Sequence, residues 1–378
     1  MQEEILTHQA RIDEVGLEEW LFEELLFAYN QAKLGKRATE DEQLFESAIS
    51  ENIYDLVQDI LDRTFKPGRG IAFIVFEPVQ REIFAAPFRD RVIHHFLYNM
   101  VNPWWDRRLI YDSYSCRKGK GTLFGIKRMQ KHIQRVTEMG SREAWVAKFD
   151  IQGYFMSLPR TGLYKRICWG LDRQFPSRGP IYYILKFLWK EVIFDDPTKG
   201  VRIRGHASDW EGLPDNKSLF KQPPGKGIVI GNLSSQLLSN IYLDPLDRFL
   251  KYELKFKAFG RYVDDFCLVV PEEEKERLLS AVPLIESFLM NMGLTLHPNK
   301  RHIQRASQGL PFLGTKIYHD RLIPGERNLK NFLKAAHEFE MGLSDETSII
   351  AYLGLMKHLD GTRAITRIFE QVGWEYQY

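Results

Sequence analysis

Cysteine is scarce in this chain, which has only Cys116, Cys168 and Cys267 among its 378 residues. They lie far apart, and no Cys or His pair has the spacing of a zinc site, so neither a disulfide framework nor a structural zinc is expected. We expect three reduced thiols, buried or half-buried, in a reducing compartment.

Long hydrophobic runs are also missing, as are internal repeats and low-complexity tracts. No stretch approaches the roughly 20 apolar residues that a membrane-spanning helix needs. The first segment, MQEEILTHQARIDEVGLEEW, is acidic and lacks the basic and then apolar pattern of a secretory signal. We therefore expect a cytoplasmic protein without a membrane partner. With 44% hydrophobic residues, the chain can form a sizeable core and two or three lobes.

The net charge is only +2, but charge is unevenly distributed along the chain. Residues 1–60 contain 15 Asp and Glu against 4 Lys and Arg, whereas residues 61–135 contain 15 Lys and Arg against 6 Asp and Glu. Such a basic block suits a polyanion such as a nucleic acid. A solvated mixed surface would give the same counts.

Apolar periodicity predicts both helices and strands. Helical spacing occurs in six segments: 17–31, 43–62, 88–103, 122–137, 234–256 and 273–291. Short apolar runs predict strands at 71–76 and 144–149 and a hairpin over 259–270. Residues 195–226 are rich in Gly, Pro and Asp and are expected to form a long loop, and 321–378 a small helical bundle. This mixture predicts an α+β fold.

Two segments place acidic residues in apolar surroundings. In AKFDIQGYF at 147–155 a predicted strand ends at Asp150, and in RYVDDF at 261–266 the residues Asp264 and Asp265 lie at the tip of the hairpin. Adjacent carboxylates repel each other unless a cation lies among them. Mg²⁺ binds carboxylate oxygens together with substrate phosphates, so the pattern predicts a metal site for phosphoryl transfer. A plain Asp-rich turn is the alternative.

These segments resemble motifs of reverse transcriptases. Tyr262-Val263-Asp264-Asp265 matches the family's YxDD motif, and Asp150 followed five positions later by Phe155 matches its first catalytic motif. GNLSSQ at 231–236 is similar to the GxxxSQ motif of reverse transcriptases from diversity-generating retroelements. Other motifs of that group follow in family order between residues 71 and 316: REI at 81–83 with AAPFRDRVIHH, SYSCRKGKGT at 113–122, GLTLHPNK at 293–300 and LPFLG at 310–314.

The resemblance implies a right-hand polymerase fold. Residues 61–148 would form the fingers, 149–320 the palm with the insertion 195–226 as a finger-associated segment, and 321–378 a short helical thumb, while 1–60 would be an acidic helical extension. The implied activity is RNA-directed DNA synthesis, in which a primer 3′-hydroxyl attacks the α-phosphate of a dNTP. Asp150, Asp264 and Asp265 would hold two Mg²⁺ ions, for which Mn²⁺ could substitute.

The resemblance also implies contacts to the triphosphate. Arg81 and Arg117 would bind it through bidentate guanidinium geometry, although Arg89 and Arg91 are rivals for the first role. Lys300 would lie near the leaving pyrophosphate as a candidate general acid, with an ordinary surface lysine as the alternative.

Other implied substrate contacts concern the sugar, the backbone and the primer. Ile151 follows Asp150 and could aim its backbone N–H at phosphates, and the ring of Phe155 would fill the space that a ribose 2′-hydroxyl needs. Gly231 would let the backbone approach the templating base pair, and Gln236 belongs to the same GxxxSQ motif. Residues 310–314 would help to hold the primer end.

Two aspartates of the predicted helix 234–256 are interpreted differently from the acidic triad. Asp244 and Asp247 lie one helical turn apart, and we expect both to be surface residues.

Ile230 bears on fidelity. Many reverse transcriptases have glutamine at this position before the glycine equivalent to Gly231, and in diversity-generating retroelements an aliphatic residue accompanies error-prone copying of template adenines. Low fidelity is therefore expected.

The expected partners are a template RNA, a DNA or RNA primer and dNTPs. No zinc-binding endonuclease, RNase H or maturase segment is recognisable, so we also expect a dedicated non-coding RNA and a small basic accessory protein. The acidic extension 1–60 could dock such a helper or cover the basic fingers. Three alternatives stay open: an anti-phage defence reverse transcriptase, template-independent or protein-primed DNA synthesis, and a non-catalytic RNA-binding scaffold.

Overall fold

The computed structural model describes residues 2–34, 39–77 and 79–373, which form an α+β protein with two compact units. Unit 1 comprises the residues up to Leu109, Gln152–Asp244 and Met292–Leu294, and unit 2 comprises Ile110–Ile151, Pro245–Asn291 and the residues from Thr295 onward. The predicted α+β class is confirmed. Parts of the predicted extension and bundle, 35–38 and 374–378, lie outside the described residues.

The N-terminal part of unit 1 is helical, as predicted. Its helices are α1 (Gln2–Val15), α2 (Leu17–Lys33), α3 (Glu40–Ser47), α4 (Ile49–Leu61) and α5 (Phe88–Arg108). The apolar face of α2 is buried, and Trp20 and Tyr29 make edge-on ring contacts with Phe96 and Phe88 of α5. A carboxylate oxygen of Asp41 accepts a hydrogen bond from the Phe88 amide at the start of α5, where the helix lacks a side-chain cap of its own. The acidic extension is therefore packed onto α5.

A three-stranded sheet follows in unit 1. Strand β1 (Ile71–Val75) pairs antiparallel with β2 (Arg81–Ala85) and parallel with the short β4 (Arg202–Ile203). Only β1 was predicted, because β2 begins with two charged residues and β4 lies in a segment with no apolar period.

The rest of unit 1 is mainly helical: α7 (Tyr154–Ser157), α8 (Arg160–Gln174), α9 (Pro180–Phe194) and the part of α10 (Leu233–Arg248) up to Asp244. Helices α8 and α9 were not predicted. Two glycines interrupt the pattern of α8, yet packing requires them: a Cβ at Gly170 would lie 2.6 Å from the Trp105 ring, and one at Gly162 would lie 3.0 Å from Tyr242. Tertiary packing overrides helix propensity here.

The predicted loop 195–226 is anchored on the unit 1 sheet by Glu82 of β2. This carboxylate is fully buried and accepts hydrogen bonds from Trp210 Nε1 at 2.7 Å, from Ser218 Oγ at 2.7 Å and from the Leu219 amide at 2.5 Å. The rings of Phe84 and Phe220 add an apolar contact. The insertion therefore packs on the β1–β2 hairpin, and its three short 3₁₀ turns surround this single acceptor.

We expect Glu82→Gln to loosen the insertion. The amide has one acceptor oxygen where the carboxylate has two, so a buried donor loses its partner, at a cost of about 1–3 kcal/mol. Limited trypsin digestion should then cleave faster at Lys217 and Lys221, and the urea midpoint should fall. Gln80→Ala is the control, because Gln80 donates to the carbonyls of Asp209 and Glu211 in the same segment but is only half-buried, unlike Glu82. Equal cleavage of the parent and Glu82→Gln would contradict this role.

Unit 2 contains a four-stranded antiparallel sheet in the order β5-β6-β3-β7, formed by β3 (Ala144–Phe149), β5 (Ala258–Tyr262), β6 (Asp265–Pro271) and β7 (His302–Arg305). Helices α6 (Thr122–Val136) and α11 (Lys275–Asn291) belong to the same unit, and α10 runs into it as far as a π-helical turn over Phe249–Glu253. The predicted strand 144–149 and the hairpin 259–270 are confirmed.

The C-terminal part of unit 2 begins with a second sheet, in the order β10-β9-β8, and continues with three helices. These elements are β8 (Leu310–Phe312), β9 (Thr315–Ile317), β10 (Leu322–Pro324), α12 (Glu326–Glu340), α13 (Thr347–Met356) and α14 (Thr362–Gln371). Their apolar faces share one core with α6 and the larger sheet. The described part of the predicted bundle is therefore helical, preceded by a strand.

Three expectations about burial are corrected. Asp244 and Asp247 were expected at the surface, but they are 1% and 0% exposed, because each pairs with an arginine. Cys116 was expected to be at least half-buried, but it is exposed in a turn with a positive φ of 53°.

In the ranges that the structure covers, no helix has the length and apolarity required to cross a bilayer.

Candidate active site

The centre of the unit 2 sheet delivers Asp150. Strand β3 is hydrogen-bonded to β6 on one side and β7 on the other, so its apolar residues Ala144, Val146, Ala147 and Phe149 are buried. Beyond the strand, the Asp150 carbonyl accepts a hydrogen bond from the His297 amide at 2.7 Å. The strand pairing and the hydrogen bond from His297 fix the backbone from which the Asp150 carboxylate projects.

The hairpin of β5 and β6 delivers the other two acids. Tyr262 pairs with Asp265, which leaves Val263 and Asp264 as the two turn residues. Phe149 pairs with Phe266 across β3 and β6, and their rings lie 5.2 Å apart. In an antiparallel pair the next residue of one strand faces the preceding residue of the other, so Asp150 and Asp265 are brought side by side.

The three carboxylates strongly influence one another. Burial raises the pKa of Asp264 to about 7, and the charges of Asp265 and Asp150 contribute in the same direction. Burial also raises the pKa of Asp265, against the lowering effect of Lys148, whose Nζ lies 3.3 Å from Asp265 Oδ2. Lys300 Nζ donates to both carboxylate oxygens of Asp150, at 3.1 and 3.2 Å. The site therefore concentrates negative charge that two lysines only partly compensate.

One buried carboxylate oxygen of the site is open to a cation. Asp265 Oδ1 is buried and has no hydrogen-bond partner in the described part of the chain, and a buried carboxylate oxygen needs a cation or a donor. Over residues 2–34, 39–77 and 79–373, no group of three acidic, His or Cys side chains is arranged so that it could hold a metal ion as it stands. Since two of the three acids are paired with lysines, a cation would have to compete with Lys148 and Lys300 for them.

The turn that carries Asp264 has an unusual backbone. Val263 has a φ of 55°, and the left-handed region is a genuine outlier for a β-branched residue. Such strain costs about 1–3 kcal/mol and persists only where the surroundings impose it. The Val263 carbonyl accepts a hydrogen bond from Arg261 Nη1 at 2.8 Å.

Comparison with known protein families agrees with this geometry. Residues 80–317 match the family described as reverse transcriptase (RNA-dependent DNA polymerase). This range is well over half of the chain and includes all three aspartates. The chain belongs to the reverse transcriptase family. A search of curated proteins finds no match.

Membership of this family shows an RNA-directed DNA polymerase, which is a nucleotidyltransferase. The predicted reverse transcriptase chemistry is thereby confirmed, and the substrates are a nucleic acid template and primer together with dNTPs. Enzymes of this family generally use divalent metal ions.

Unit 1 of the reverse transcriptase carries several of the predicted substrate residues. Arg81 is exposed at the start of β2, whereas Arg89 is paired with Asp59 and Arg91 Nε donates to the Ala86 carbonyl. The rival arginines are thus engaged within the protein, and the contact of Arg81 with a triphosphate stays a prediction.

Phe155 is half-buried, although its neighbours Tyr154 and Met156 are both buried. Its carbonyl accepts a hydrogen bond from the Ile228 amide at 3.0 Å. Phe155 therefore keeps accessible surface while its backbone is fixed, as a steric gate requires. Its role in excluding a ribose 2′-hydroxyl stays a prediction.

The GxxxSQ stretch begins against β2. Gly231 has a φ of 132°, and a Cβ there would lie 2.9 Å from the Phe84 carbonyl oxygen, so both backbone conformation and close approach require glycine. Ser234 is buried with its Oγ 2.9 Å from His94 Nδ1, while Gln236 is exposed. Glycine is therefore needed here by the protein itself, and the predicted approach to a base pair stays untested.

Two predicted residues of unit 2 contact the protein backbone. Ile151 is buried and forms an isolated bridge with Leu296. Arg117 Nη1 donates to the carbonyls of Ile110 and Ser113, at 2.7 and 3.0 Å, and so stabilises the loop in which it lies. The implied contact of Arg117 with a triphosphate stays a prediction.

Three charged residues near the site were not found by sequence reasoning. Lys148 lies two residues before Asp150, on the same face of β3, and this spacing was a usable signal. Arg261 and Asp247 are 14 positions apart, and only the folded chain pairs them. An arginine within the apolar strand Ala258–Tyr262 was the one available hint.

Proposed function

We propose that this reverse transcriptase extends a primer on an RNA template by a two-metal mechanism centred on Asp150, Asp264 and Asp265. The observation that carries the proposal is the register that sets Asp150 beside Asp265, with Asp264 in the adjoining turn, together with the buried Asp265 Oδ1, which lacks a partner within the described residues. In the corresponding right-hand architecture, the β5-β6-β3-β7 sheet belongs to the palm, the β1–β2 sheet to the fingers, and α12 to α14 to the thumb.

Each residue has a defined task in this proposal. Two Mg²⁺ ions would neutralise charge on the triphosphate and lower the pKa of the primer hydroxyl, and the three aspartates would hold them. Lys300, which is 53% exposed beside Asp150, can follow the leaving pyrophosphate and donate a proton to it. Arg81 and Arg117 would orient the triphosphate, and the ring of Phe155 would exclude a ribose 2′-hydroxyl.

Primer extension tests the proposal directly. Purified protein is incubated with oligo(dT) annealed to poly(rA), Mg²⁺ and labelled dTTP, and the same reaction is run without poly(rA). Extension that requires both template and Mg²⁺ is the expected result. Equal synthesis without template would instead indicate template-independent polymerisation, and DNA covalently attached to the protein would indicate protein priming. No synthesis by any route would favour a non-catalytic RNA-binding scaffold.

We further propose that the enzyme serves a diversity-generating retroelement, with a dedicated template RNA and a small basic accessory protein. GNLSSQ at 231–236 and the aliphatic Ile230 before it favour this role. A near-duplicate repeat pair beside the gene would support it, whereas a position among anti-phage genes would support a defence role.

Ile230 should determine fidelity opposite template adenine. Its side chain packs against the apolar cluster that includes Phe84, Leu219 and Val229, and its carbonyl accepts a hydrogen bond from the Phe84 amide at 3.2 Å. A glutamine at position 230 would place a polar amide beside Gly231, where the parent has an aliphatic side chain. We expect Ile230→Gln to reduce misincorporation opposite adenine several-fold, measured by sequencing the cDNA of a defined RNA.

The control for fidelity is Ile230→Val, which stays aliphatic and should leave the error spectrum unchanged while lowering stability by about 0.5–1.5 kcal/mol at most. Identical misincorporation by the parent and Ile230→Gln would remove the argument for error-prone copying.

A further inference from the structure

Behind the catalytic turn lies an ion pair that is wholly withdrawn from solvent. Arg261, on β5, is 0% exposed, and so is Asp247 on α10. Arg261 Nε and Nη2 donate to the two carboxylate oxygens of Asp247, each at 2.7 Å. This is the bidentate geometry in which arginine binds a carboxylate most specifically.

The same guanidinium reaches two further elements of unit 2. Arg261 Nη1 donates to the Val263 carbonyl at 2.8 Å, and Nη2 lies 3.2 Å from Ser113 Oγ. The Arg261 backbone is fixed as well, because its amide donates to the Asp112 carbonyl and its carbonyl accepts from the Tyr114 amide, both at 2.9 Å. One cation thus links a helix, a loop and the turn that carries Asp264.

We infer that Arg261 and Asp247 are positioning residues that hold the 263–264 turn in the conformation that presents Asp264 and Asp265 to metal. Val263 keeps a left-handed backbone, which a valine leaves readily unless something holds it. The hydrogen bond from Arg261 to the Val263 carbonyl supplies that hold, and Asp247 fixes the guanidinium at both of its oxygens. The inference rests on the proposed metal site at these aspartates.

Stability alone does not account for this pair. A buried ion pair is costly to desolvate, and apolar residues of similar volume often replace one without loss of stability. An apolar residue at position 261, however, has no donor for the Val263 carbonyl. The pair is therefore explained by the geometry it imposes on the turn.

The chain provides a matched control on the same helix. Asp244, three positions before Asp247, is 1% exposed and pairs with Arg166, whose Nη2 lies 2.9 Å from Asp244 Oδ2. Both residues belong to unit 1, whereas the catalytic turn belongs to unit 2. Asp244→Asn therefore removes the charge of an equally buried carboxylate whose arginine partner is 22% exposed and lies outside the unit of the catalytic turn.

The experiment compares the parent with four variants: Asp247→Asn, Arg261→Lys, the double variant Arg261→Met with Asp247→Leu, and Asp244→Asn. The double variant leaves no uncompensated buried charge, so it is designed to fold. Three quantities are measured: kcat and KM for dTTP in primer extension, deuterium uptake by the segment 258–270, and Mn²⁺ binding by the electron paramagnetic resonance signal of the free ion.

We expect the double variant and Asp247→Asn to lower kcat about 100-fold, the scale on which a displacement of about 1 Å affects catalysis, with KM for dTTP changed less than about threefold. Their 258–270 segment should exchange faster and their Mn²⁺ affinity should fall about tenfold. Arg261→Lys, with a single ammonium, should lie between these variants and the parent. Asp244→Asn should match the parent in kcat, local exchange and Mn²⁺ affinity.

A double variant with parental kcat, exchange and Mn²⁺ affinity would overturn the inference, as would equal effects of Asp244→Asn and Asp247→Asn on all three. If the parent does not extend primers at all, the proposed function fails, and deuterium uptake together with Mn²⁺ binding still decides whether the pair holds the turn.

Discussion

The double variant Asp264→Asn/Asp265→Asn is expected to lose primer extension by at least about 10³-fold, because metal ions supply several kcal/mol of transition-state stabilisation and each factor of ten corresponds to about 1.4 kcal/mol. An amide of the same size preserves the packing of the hairpin but removes the charge that attracts Mg²⁺. The measurement is extension of oligo(dT) on poly(rA) over a series of Mg²⁺ concentrations. Saturating Mg²⁺ should not restore the activity.

Folding provides the control for this loss, because the single variant Asp264→Asn should be more stable than the parent when metal is removed by a chelator. Burial and two neighbouring acids raise the pKa of Asp264 to about 7, above its ordinary value near 4. The folded state therefore disfavours the ionised carboxylate. The parent should lose stability as the pH rises from about 4 to 7, and the whole penalty should remain above pH 7.

Asparagine does not carry this penalty. Since Asp264 is partly exposed, solvent screening reduces the full effect, and we expect the variant to gain about 1–2 kcal/mol at pH 8 and less at pH 5. Urea unfolding at the two pH values measures the difference. If Asp264→Asn is inactive and also destabilised at pH 8, the loss of activity reflects damage to the fold. If Asp264→Asn is fully active, Asp264 is not a required metal ligand.

The elements around the site could largely be predicted because their signals are local. The apolar run of β3 ends at an aspartate and so predicts the strand that carries Asp150. The Val263-Asp264 turn separates two strand-forming segments and so predicts the hairpin. Asp264 and Asp265 stood out because adjacent charges in apolar surroundings are rare without a cation. Helix α8 could not be predicted from local signals. Gly170 lowers the helix propensity of this segment, but the ring of Trp105 leaves no space for a side chain at position 170.

The Arg261–Asp247 pair and the burial of Glu82 could not be predicted, since neither has a local signal. Asp247 resembles any polar residue on an amphipathic helix until β5 brings Arg261 to it. Glu82 is a charged residue on the buried face of β2, where it shares that face with Phe84, and its three donors come from residues more than 120 positions later in the chain. Buried polar partners depend on tertiary arrangement, which periodicity does not encode.

Sugar discrimination should depend on the ring of Phe155. Removing it in Phe155→Ala opens space that a 2′-hydroxyl can occupy, so kcat/KM for rUTP relative to dTTP should rise about 10- to 200-fold, the range over which a pocket discriminates by bulk. Steady-state incorporation of each nucleotide opposite poly(rA) measures the ratio. The ring is well suited to this role because its backbone is fixed: the Phe155 carbonyl is bound by the Ile228 amide.

Two variants separate the gate from general damage at this position. Phe155→Tyr keeps the ring and should keep the preference for dTTP. Tyr154→Phe removes the 2.6 Å hydrogen bond to the Ser239 carbonyl, which should lower stability by about 1 kcal/mol without changing the ratio. Because Tyr154 is buried and Phe155 is not, only the loss of the Phe155 ring should admit ribonucleotides. If Phe155→Ala discriminates as strongly as the parent, the ring is a packing residue and another group excludes the 2′-hydroxyl.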